Sequence, residues 1–296
     1  MSPIAAELMV DAHCRLGEGP LWSVRERCLY WLDIESNRVH RYDPATRAAT
    51  QVTLPSMIGA VVERASGGLV IADQAGFAGL DFTTGTLERW THPEAAIPTN
   101  RFNDGKVDPQ GRFWCGTMQI RESDPDAKGK GSLWCLHADK RVTRMVDGLS
   151  IANGLAWDGR GTFYYIDTPT LRIDAFSYDA AGPTISQRRV AVPIDGAKDG
   201  WPDGMCIDAD GMLWCGHWGG WAVHRWDPRT GRKLATIAVP ATAVTSCCFG
   251  GERLDELWIT TAARGAGAEA AKEPHAGGLF RARPGVTGLA ATPYAG

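Results

Sequence analysis

Oxygen-bearing side chains recur at one position of a sequence repeat, and their types are suited to binding a metal ion. In each copy the position stands four residues before a large apolar residue, in order Trp22, Val62, Val107, Trp157, Ile207 and Phe249. The residues found at the position are Glu18, Ile58, Asn103, Asn153, Asp203 and Thr245. Carboxylates and amides that converge without a counter-charge are costly to bury, so we expect a cation among them.

The chemistry of these side chains restricts the choice of cation. Oxygen ligands with two negative charges suit Ca²⁺, Mg²⁺ or Mn²⁺, and the position contains no His or Cys, which a structural zinc site would use. We therefore predict one divalent ion and expect Ca²⁺ first. Mg²⁺, Mn²⁺, and a catalytic Zn²⁺ or Fe²⁺ with an open coordination position stay as alternatives.

Such ligands need a scaffold that brings distant segments to one axis. Six anchor residues are 41, 43, 50, 50 and 44 residues apart, which is the period of a propeller blade; they are Tyr30, Ile71, Trp114, Tyr164, Trp214 and Trp258. Short apolar runs between turn residues, with 35 glycines and 12 tryptophans in 296 residues, indicate all-β structure. We predict a single domain over residues 1–296, an all-β six-bladed propeller with four-stranded blades around a central channel.

Loops and turns account for the other conspicuous segments. Insertions rich in Gly, Ala and charged residues occupy residues 122–131 and 265–275, where we expect surface loops, with lids as the alternative. Four acidic residues fall in repeated turns and are predicted to be structural: Asp104, Asp108, Asp158 and Asp208.

Composition and charge exclude several classes of partner. Lys and Arg number 31 against 34 Asp and Glu, a net charge of −3, and no long like-charge run occurs, so neither nucleic acid nor a membrane is an expected partner. The first residues lack a basic stretch followed by an apolar one, so we expect a cytoplasmic protein. The eight cysteines lie mostly in apolar runs and are predicted to be reduced and buried, with a redox pair at Cys247 and Cys248 as the alternative.

Five segments along the chain carry a family resemblance. They are Leu16–Trp22, Arg101–Asp108, Asn153–Leu155, Pro202–Asp208 and Thr245–Gly251. Together they resemble the family of senescence marker protein, regucalcin and gluconolactonase, over nearly the whole chain. The resemblance implies a six-bladed propeller that hydrolyses sugar lactones with one divalent metal ion in its channel.

The resemblance also implies roles for individual residues. Glu18, Asn153 and Asp203 would bind the metal. Arg101 and Asn103 would contact the substrate, and Asp203 would also act as the general base. A water activated by the metal is the alternative source of the nucleophile, since a carboxylate bound to a cation is a poorer base.

One segment departs from the family pattern. The animal members that this chain resembles carry an acidic, substrate-contacting residue shortly after Gly-Thr-Met, whereas Arg121 stands there in this chain. The next residue, Glu122, is predicted to take over the contact with substrate. The preferred sugar therefore stays open.

The sequence predicts a metal-dependent lactonase and leaves other functions open. A calcium-binding regulator without catalysis would use the same residues, as would a metal-dependent esterase or organophosphate hydrolase. A propeller scaffold that binds proteins would need no metal. Serine hydrolase and nucleotide chemistry are not expected, because the chain has no G-x-S-x-G motif, P-loop or dinucleotide-binding glycine motif.

Overall fold

The computed structural model of the protein describes residues 4–264 and 272–296. Within them the chain forms mainly strands, together with a short helix α1 (Gly196–Asp199) and a 3₁₀ turn (Thr168–Thr170). No helix in this part of the chain is both long enough and apolar enough to span a membrane.

The strands group into antiparallel units of four. The first three units are β3 (Gly17–Ser23), β4 (Cys28–Asp33), β5 (Arg38–Asp43), β6 (Ala48–Thr53); β7 (Ile58–Glu63), β8 (Leu69–Asp73), β9 (Gly76–Leu80), β10 (Leu87–Thr91); and β11 (Asn100–Val107), β12 (Phe113–Gln119), β13 (Gly131–Leu136), β14 (Val142–Leu149). The next two are β15 (Ala152–Trp157), β16 (Thr162–Asp167), β17 (Arg172–Asp179), β18 (Thr184–Pro193); and β19 (Trp201–Ile207), β20 (Leu213–Trp218), β21 (Ala222–Asp227), β22 (Arg232–Ala238). The last unit joins β23 (Ala243–Gly250), β24 (Glu256–Ala262) and β25 (Leu279–Ala282) to β2 (Glu7–Val10), while β1 (Ile4–Ala5) pairs with β22.

The units close into a ring. The first strand of each unit contacts the first strand of the next, and β23 of the last unit contacts β3 of the first. Closure is reinforced because β2, from the start of the chain, pairs with β25, from near its end. This cyclic arrangement is that of a β-propeller, in which the first strands surround the central channel.

The repeated turn sequences form the same local structure. The Asp108 carboxylate accepts hydrogen bonds from the backbone N–H groups of Gln110 and Arg112 at 3.0 and 2.9 Å, and from the indole Nε1 of Trp114 at 2.9 Å. The equivalent indole of Trp214 donates to Asp208, also at 2.9 Å. The acidic residue thus closes the turn and anchors the following strand, so its prediction as a structural residue is confirmed at both positions.

Two further predictions concern the cysteines and the insertions. All eight cysteines are free and buried. The sulfur atoms of Cys206 and Cys247 lie 3.7 Å apart in a hydrogen-bond contact. Residues 122–131 form mainly turns before β13. Most of the 265–275 insertion lies outside the described residues.

Irregular pairing marks the first strand of every unit. A shift in register with the second strand occurs at or next to each of the six repeat positions from Glu18 to Thr245, which we call the ring positions, as between Asn153 and Leu155 in β15. A β-bulge of this kind bends the strand and redirects its side chains. Glycine follows several of these positions because neighbouring first strands approach closely there: a Cβ on Gly154 would lie 2.8 Å from the Asp203 carbonyl oxygen.

This close approach predicts the effect of a single methyl group. We expect Gly154→Ala to reduce the free energy of unfolding by about 1–3 kcal/mol, because the methyl group would press on the backbone of β19. Gly182→Ala is the matched control, since a Cβ there meets no atom closer than 3.9 Å. Urea unfolding followed by tryptophan fluorescence measures both changes, and equal stability of the two variants would contradict the prediction.

Candidate metal centre

The predicted ligands lie on three of the first strands. Glu18 is on β3, Asn153 on β15 and Asp203 on β19, and all three side chains are buried. The sixth member of the repeat, Thr245, has another role, because its hydroxyl donates to the Gly17 carbonyl oxygen at 2.6 Å and so ties the last unit to the first. Ile58 contributes only apolar surface.

Hydrogen bonds link the two asparagines to each other and to the strands around them. The Asn103 amide donates to Asn153 Oδ1 at 3.2 Å and to the Ala152 carbonyl oxygen at 2.8 Å. The Asn153 amide donates in turn to the Thr168 hydroxyl at 2.8 Å. These contacts fix the side chain of Asn153 with its amide nitrogen turned to Thr168. Its Oδ1 accepts from Asn103 and keeps a second lone pair that could bind a metal ion.

The two carboxylates of the site have few partners. Glu18 accepts one hydrogen bond, from the backbone N–H of Gly19 at 3.0 Å. Asp203 Oδ1 is buried and has no hydrogen-bond partner among the residues that the structure describes. An unpartnered buried carboxylate oxygen is costly, and a cation would remove that cost. The residues therefore fit an oxygen-coordinated divalent ion.

Electrostatics within the protein support the same assignment. Burial, followed by the charge of Asp104, raises the pKa of Glu18 to about 8. Burial and the charges of Glu18 and Asp104 raise the pKa of Asp203 well above its ordinary value. Without a cation the two carboxyl groups thus favour their protonated forms, whereas a divalent ion would favour the ionised ones.

Asp104 is a functional candidate that the sequence reasoning assigned wrongly to a turn. It lies in β11 and is buried. Its Oδ1 accepts from the backbone N–H of Gly105 at 2.7 Å, and its Oδ2 has no partner within residues 4–264 and 272–296. The sequence did contain a signal for it. Glycine occupies the corresponding repeat position after Glu18, Ile58, Asn153 and Asp203, so an acidic residue there is exceptional.

Arg101 and Asn103 are in direct contact. The Arg101 guanidinium donates to Asn103 Oδ1 at 2.6 Å and to the Phe102 carbonyl oxygen at 2.9 Å. Burial lowers the pKa of Arg101 to about 10. The charge of Glu18 opposes this shift, and the charge of Arg264 adds to it. Arg101 therefore remains a cation at neutral pH, two residues from Asn103 on the same strand.

Glu122 contacts a different arginine. Its carboxylate pairs with the Arg264 guanidinium, which also donates to Glu35 Oε1 at 2.8 Å. The charge of Arg264 acts on Arg101, so this group of side chains lies near Arg101. The role of Glu122 toward substrate stays a prediction.

Beyond the candidate ligands the channel becomes apolar. A cavity of about 310 Å³ lies there. It is lined by large side chains that stand four residues after the ring positions on the first strands, among them Trp22, Val107, Trp157 and Phe249. Asp104 also lines it, and the Lys106 amine donates to the Met205 carbonyl oxygen nearby. The polar site is thus bounded on this side by an apolar compartment.

Comparison with known proteins identifies the family. Residues 16–263 match the family described as the SMP-30/Gluconolactonase/LRE-like region. The chain belongs to this family. It is 38% identical over 301 residues to regucalcin from Xenopus laevis, and the match covers 100% of both chains. The family resemblance drawn from the sequence motifs is confirmed.

Two solved structures of the same fold show how closely it is shared. A luciferin-regenerating enzyme superposes with a TM-score of 0.92 at 31% identity, covering 99% of both chains. A regucalcin from Agrobacterium tumefaciens, described as a calcium-binding protein, gives a TM-score of 0.91 at 29% identity over 99% of this chain and 98% of its own.

The raised pKa of Glu18 predicts how stability depends on pH in the metal-free protein. The folded-state pKa of about 8 exceeds that of the unfolded chain, so stability is greatest below the unfolded value and falls as pH rises through about 8. We expect the unsubstituted protein in EDTA to lose stability as pH rises in this way, and Glu18→Gln to lose less. Glu252→Gln, a substitution of an exposed residue, should lose as much as the unsubstituted protein. Urea midpoints at several pH values measure it; an unchanged pH dependence in Glu18→Gln would contradict the assignment.

Proposed function

We propose that the protein is a metal-dependent hydrolase that opens sugar lactones of the aldonolactone type, and that its strand units are the six blades of the propeller. The observation that carries this proposal is an unpartnered, buried carboxylate oxygen on Asp203 of β19, together with a cationic donor, Arg101, and an amide, Asn103, on another first strand, β11. Family membership supports it, since the family description includes gluconolactonases.

In this proposal Glu18, Asn153 and Asp203 hold one divalent ion, with Ca²⁺ expected first. When bound, the ion supplies positive charge that stabilises the negative charge developing on the lactone carbonyl oxygen in the transition state. Glu18, Asn153 and Asp203 would all coordinate through oxygen atoms, which suit a hard cation. The relative from Agrobacterium tumefaciens described as calcium-binding supports the choice of Ca²⁺.

The remaining chemistry is proposed for side chains of this chain. The Asp203 carboxylate, which also holds the ion, accepts a proton from the attacking water. The water oxygen bonds to the carbonyl carbon and the ring C–O bond breaks. The ring oxygen then takes up the proton that Asp203 accepted, which gives a hydroxy acid and regenerates the carboxylate. Arg101 and Asn103 orient the hydroxyl groups of the sugar, and their mutual contact at 2.6 Å limits how far either can move.

A lactone panel tests the proposed function directly. We expect five- and six-membered aldonolactones to be hydrolysed in a pH-indicator assay, activity to vanish after exhaustive metal removal, and a hard divalent ion to restore it. Reconstitution with Ca²⁺, Mg²⁺, Mn²⁺, Zn²⁺ and Fe²⁺ identifies the preferred ion. Full activity in protein shown by elemental analysis to contain no metal would overturn the proposal.

The same panel distinguishes a second candidate function. Relatives that share the whole length of the chain are named regucalcin, and one solved relative is described as calcium-binding. A calcium-binding regulator predicts tight Ca²⁺ binding without hydrolysis of any lactone on the panel. A related esterase or organophosphate hydrolase predicts metal-dependent turnover of carboxylic esters or organophosphates added to the panel, and no turnover of lactones.

Substitution of the two carboxylates separates metal binding from proton transfer. Glu18→Gln removes one ligand charge, so we expect weaker metal affinity and recovery of much of the rate in excess metal. Asp203→Asn also removes the proposed base, so at saturating metal kcat should still fall by roughly 10²–10⁴-fold. The measurement is metal occupancy beside kcat across a metal titration. Complete rescue of Asp203→Asn by metal would mean that Asp203 is not the base.

A further inference from the structure

A second cluster of potential ligands lies in the first unit and takes no part in the proposed lactone chemistry. Cys14 is in the loop between β2 and β3, Asp33 ends β4, and His40 is in β5. The Sγ atom, a carboxylate oxygen and an imidazole nitrogen lie within 4.8 Å of one another. All three residues are buried, at 1%, 3% and 7% exposure.

The spacing matches what a tetrahedral metal site requires. Cys14 Sγ is 3.8 Å from His40 Nε2. Bond lengths of about 2.3 Å to sulfur and about 2.0 Å to nitrogen would place these atoms roughly 3.5 Å apart. A closure of a few tenths of an ångström, within the reach of side-chain rotation, would therefore complete the contact.

Neighbouring groups already orient the three side chains. Asp33 accepts hydrogen bonds from the backbone N–H groups of Arg15 and Leu16, both at 3.1 Å, and each oxygen retains a further lone pair. The indole of Trp31 stacks on the His40 imidazole, with 4.7 Å between the ring centroids and 13° between the ring planes. Such supporting contacts hold ligands in place around metal ions.

The alternative of a reactive thiol is disfavoured. Burial raises the pKa of Cys14 to about 12 and lowers that of His40 to about 4. The pair therefore exists as a neutral thiol and a neutral imidazole at physiological pH, not as a nucleophilic thiolate and imidazolium.

We propose that Cys14, Asp33 and His40 bind a thiophilic divalent ion of the zinc class, at a site distinct from the oxygen-only ring. Binding forms a sulfur–metal bond and releases the thiol proton of Cys14 to solvent. The thiolate and carboxylate charges then balance the two charges of the ion, although the positive charge of Arg38 also acts on Cys14 and His40 and opposes binding.

The position of the site gives it a structural consequence. The Cys14 backbone N–H donates to the Gly277 carbonyl oxygen at 2.9 Å, and the Cys14 carbonyl oxygen accepts from Ala263 at 3.0 Å. The loop that carries Cys14 thus lies against the last unit of the ring and leads directly to Glu18. An ion held there would tie this loop to β4 and β5 of the first unit.

Cobalt substitution tests the proposal, because a sulfur–cobalt bond has a near-ultraviolet charge-transfer absorption that oxygen ligands do not produce. We expect reduced, metal-free protein to develop this absorption with one equivalent of Co²⁺ per chain, and Zn²⁺ to abolish it. Cys14→Ser and His40→Gln should each lose or strongly weaken it. Cys28→Ser is the matched control, since Cys28 is a buried cysteine of the same unit whose sulfur contacts Glu26.

Further variants keep the result decisive. Glu18→Gln and Asp203→Asn should retain the absorption, so a failure of the proposed lactonase function would leave this test unaffected. Circular dichroism establishes that each variant is folded, and His40→Gln decides the question if Cys14→Ser does not fold. No charge-transfer absorption in the unsubstituted protein, or its persistence at full intensity in folded Cys14→Ser, would overturn the proposal.

Discussion

The burial of three carboxyl groups whose charges act on one another is the constraint on which the candidate site depends. Glu18, Asp104 and Asp203 are each at most 6% exposed, and two of them have an oxygen without a hydrogen-bond partner. Like charges in such an environment repel strongly, so this arrangement persists only if the surrounding strands hold the groups in place. The same repulsion would favour a bound cation in the proposed metal site.

The closed ring of strands provides the necessary rigidity. Each first strand is paired on one side within its own unit and packed against the first strands of its neighbours. Bulges at equivalent positions of the first strands redirect the side chains there, and small residues such as Gly154 let the strands approach closely. The site is therefore built from segments that are far apart in sequence, and the paired strand ends close the ring.

Two kinds of ligand chemistry are separated in the structure. The ring presents carboxylate and amide oxygens, which suit hard cations, whereas Cys14 and His40 present sulfur and nitrogen, which suit softer ones. Because the two clusters differ in donor type, one metal ion need not displace the other. The chain segment from Cys14 to Glu18 connects the two clusters, so an ion bound by Cys14, Asp33 and His40 could influence the position of Glu18.

The repeat in the sequence was sufficient to predict the period of the fold and most of the candidate ligands. The spacing of anchors such as Trp114 and Trp214 predicted the β-propeller, because each unit repeats the same turn and strand chemistry. Tertiary structure decided what that repeat could not specify. Asp104 belongs to the channel because a bulge redirects its side chain, and Cys14, Asp33 and His40 meet because strand pairing and a loop converge. Such contacts depend on the path of the backbone in space, which residue spacing along the chain does not record.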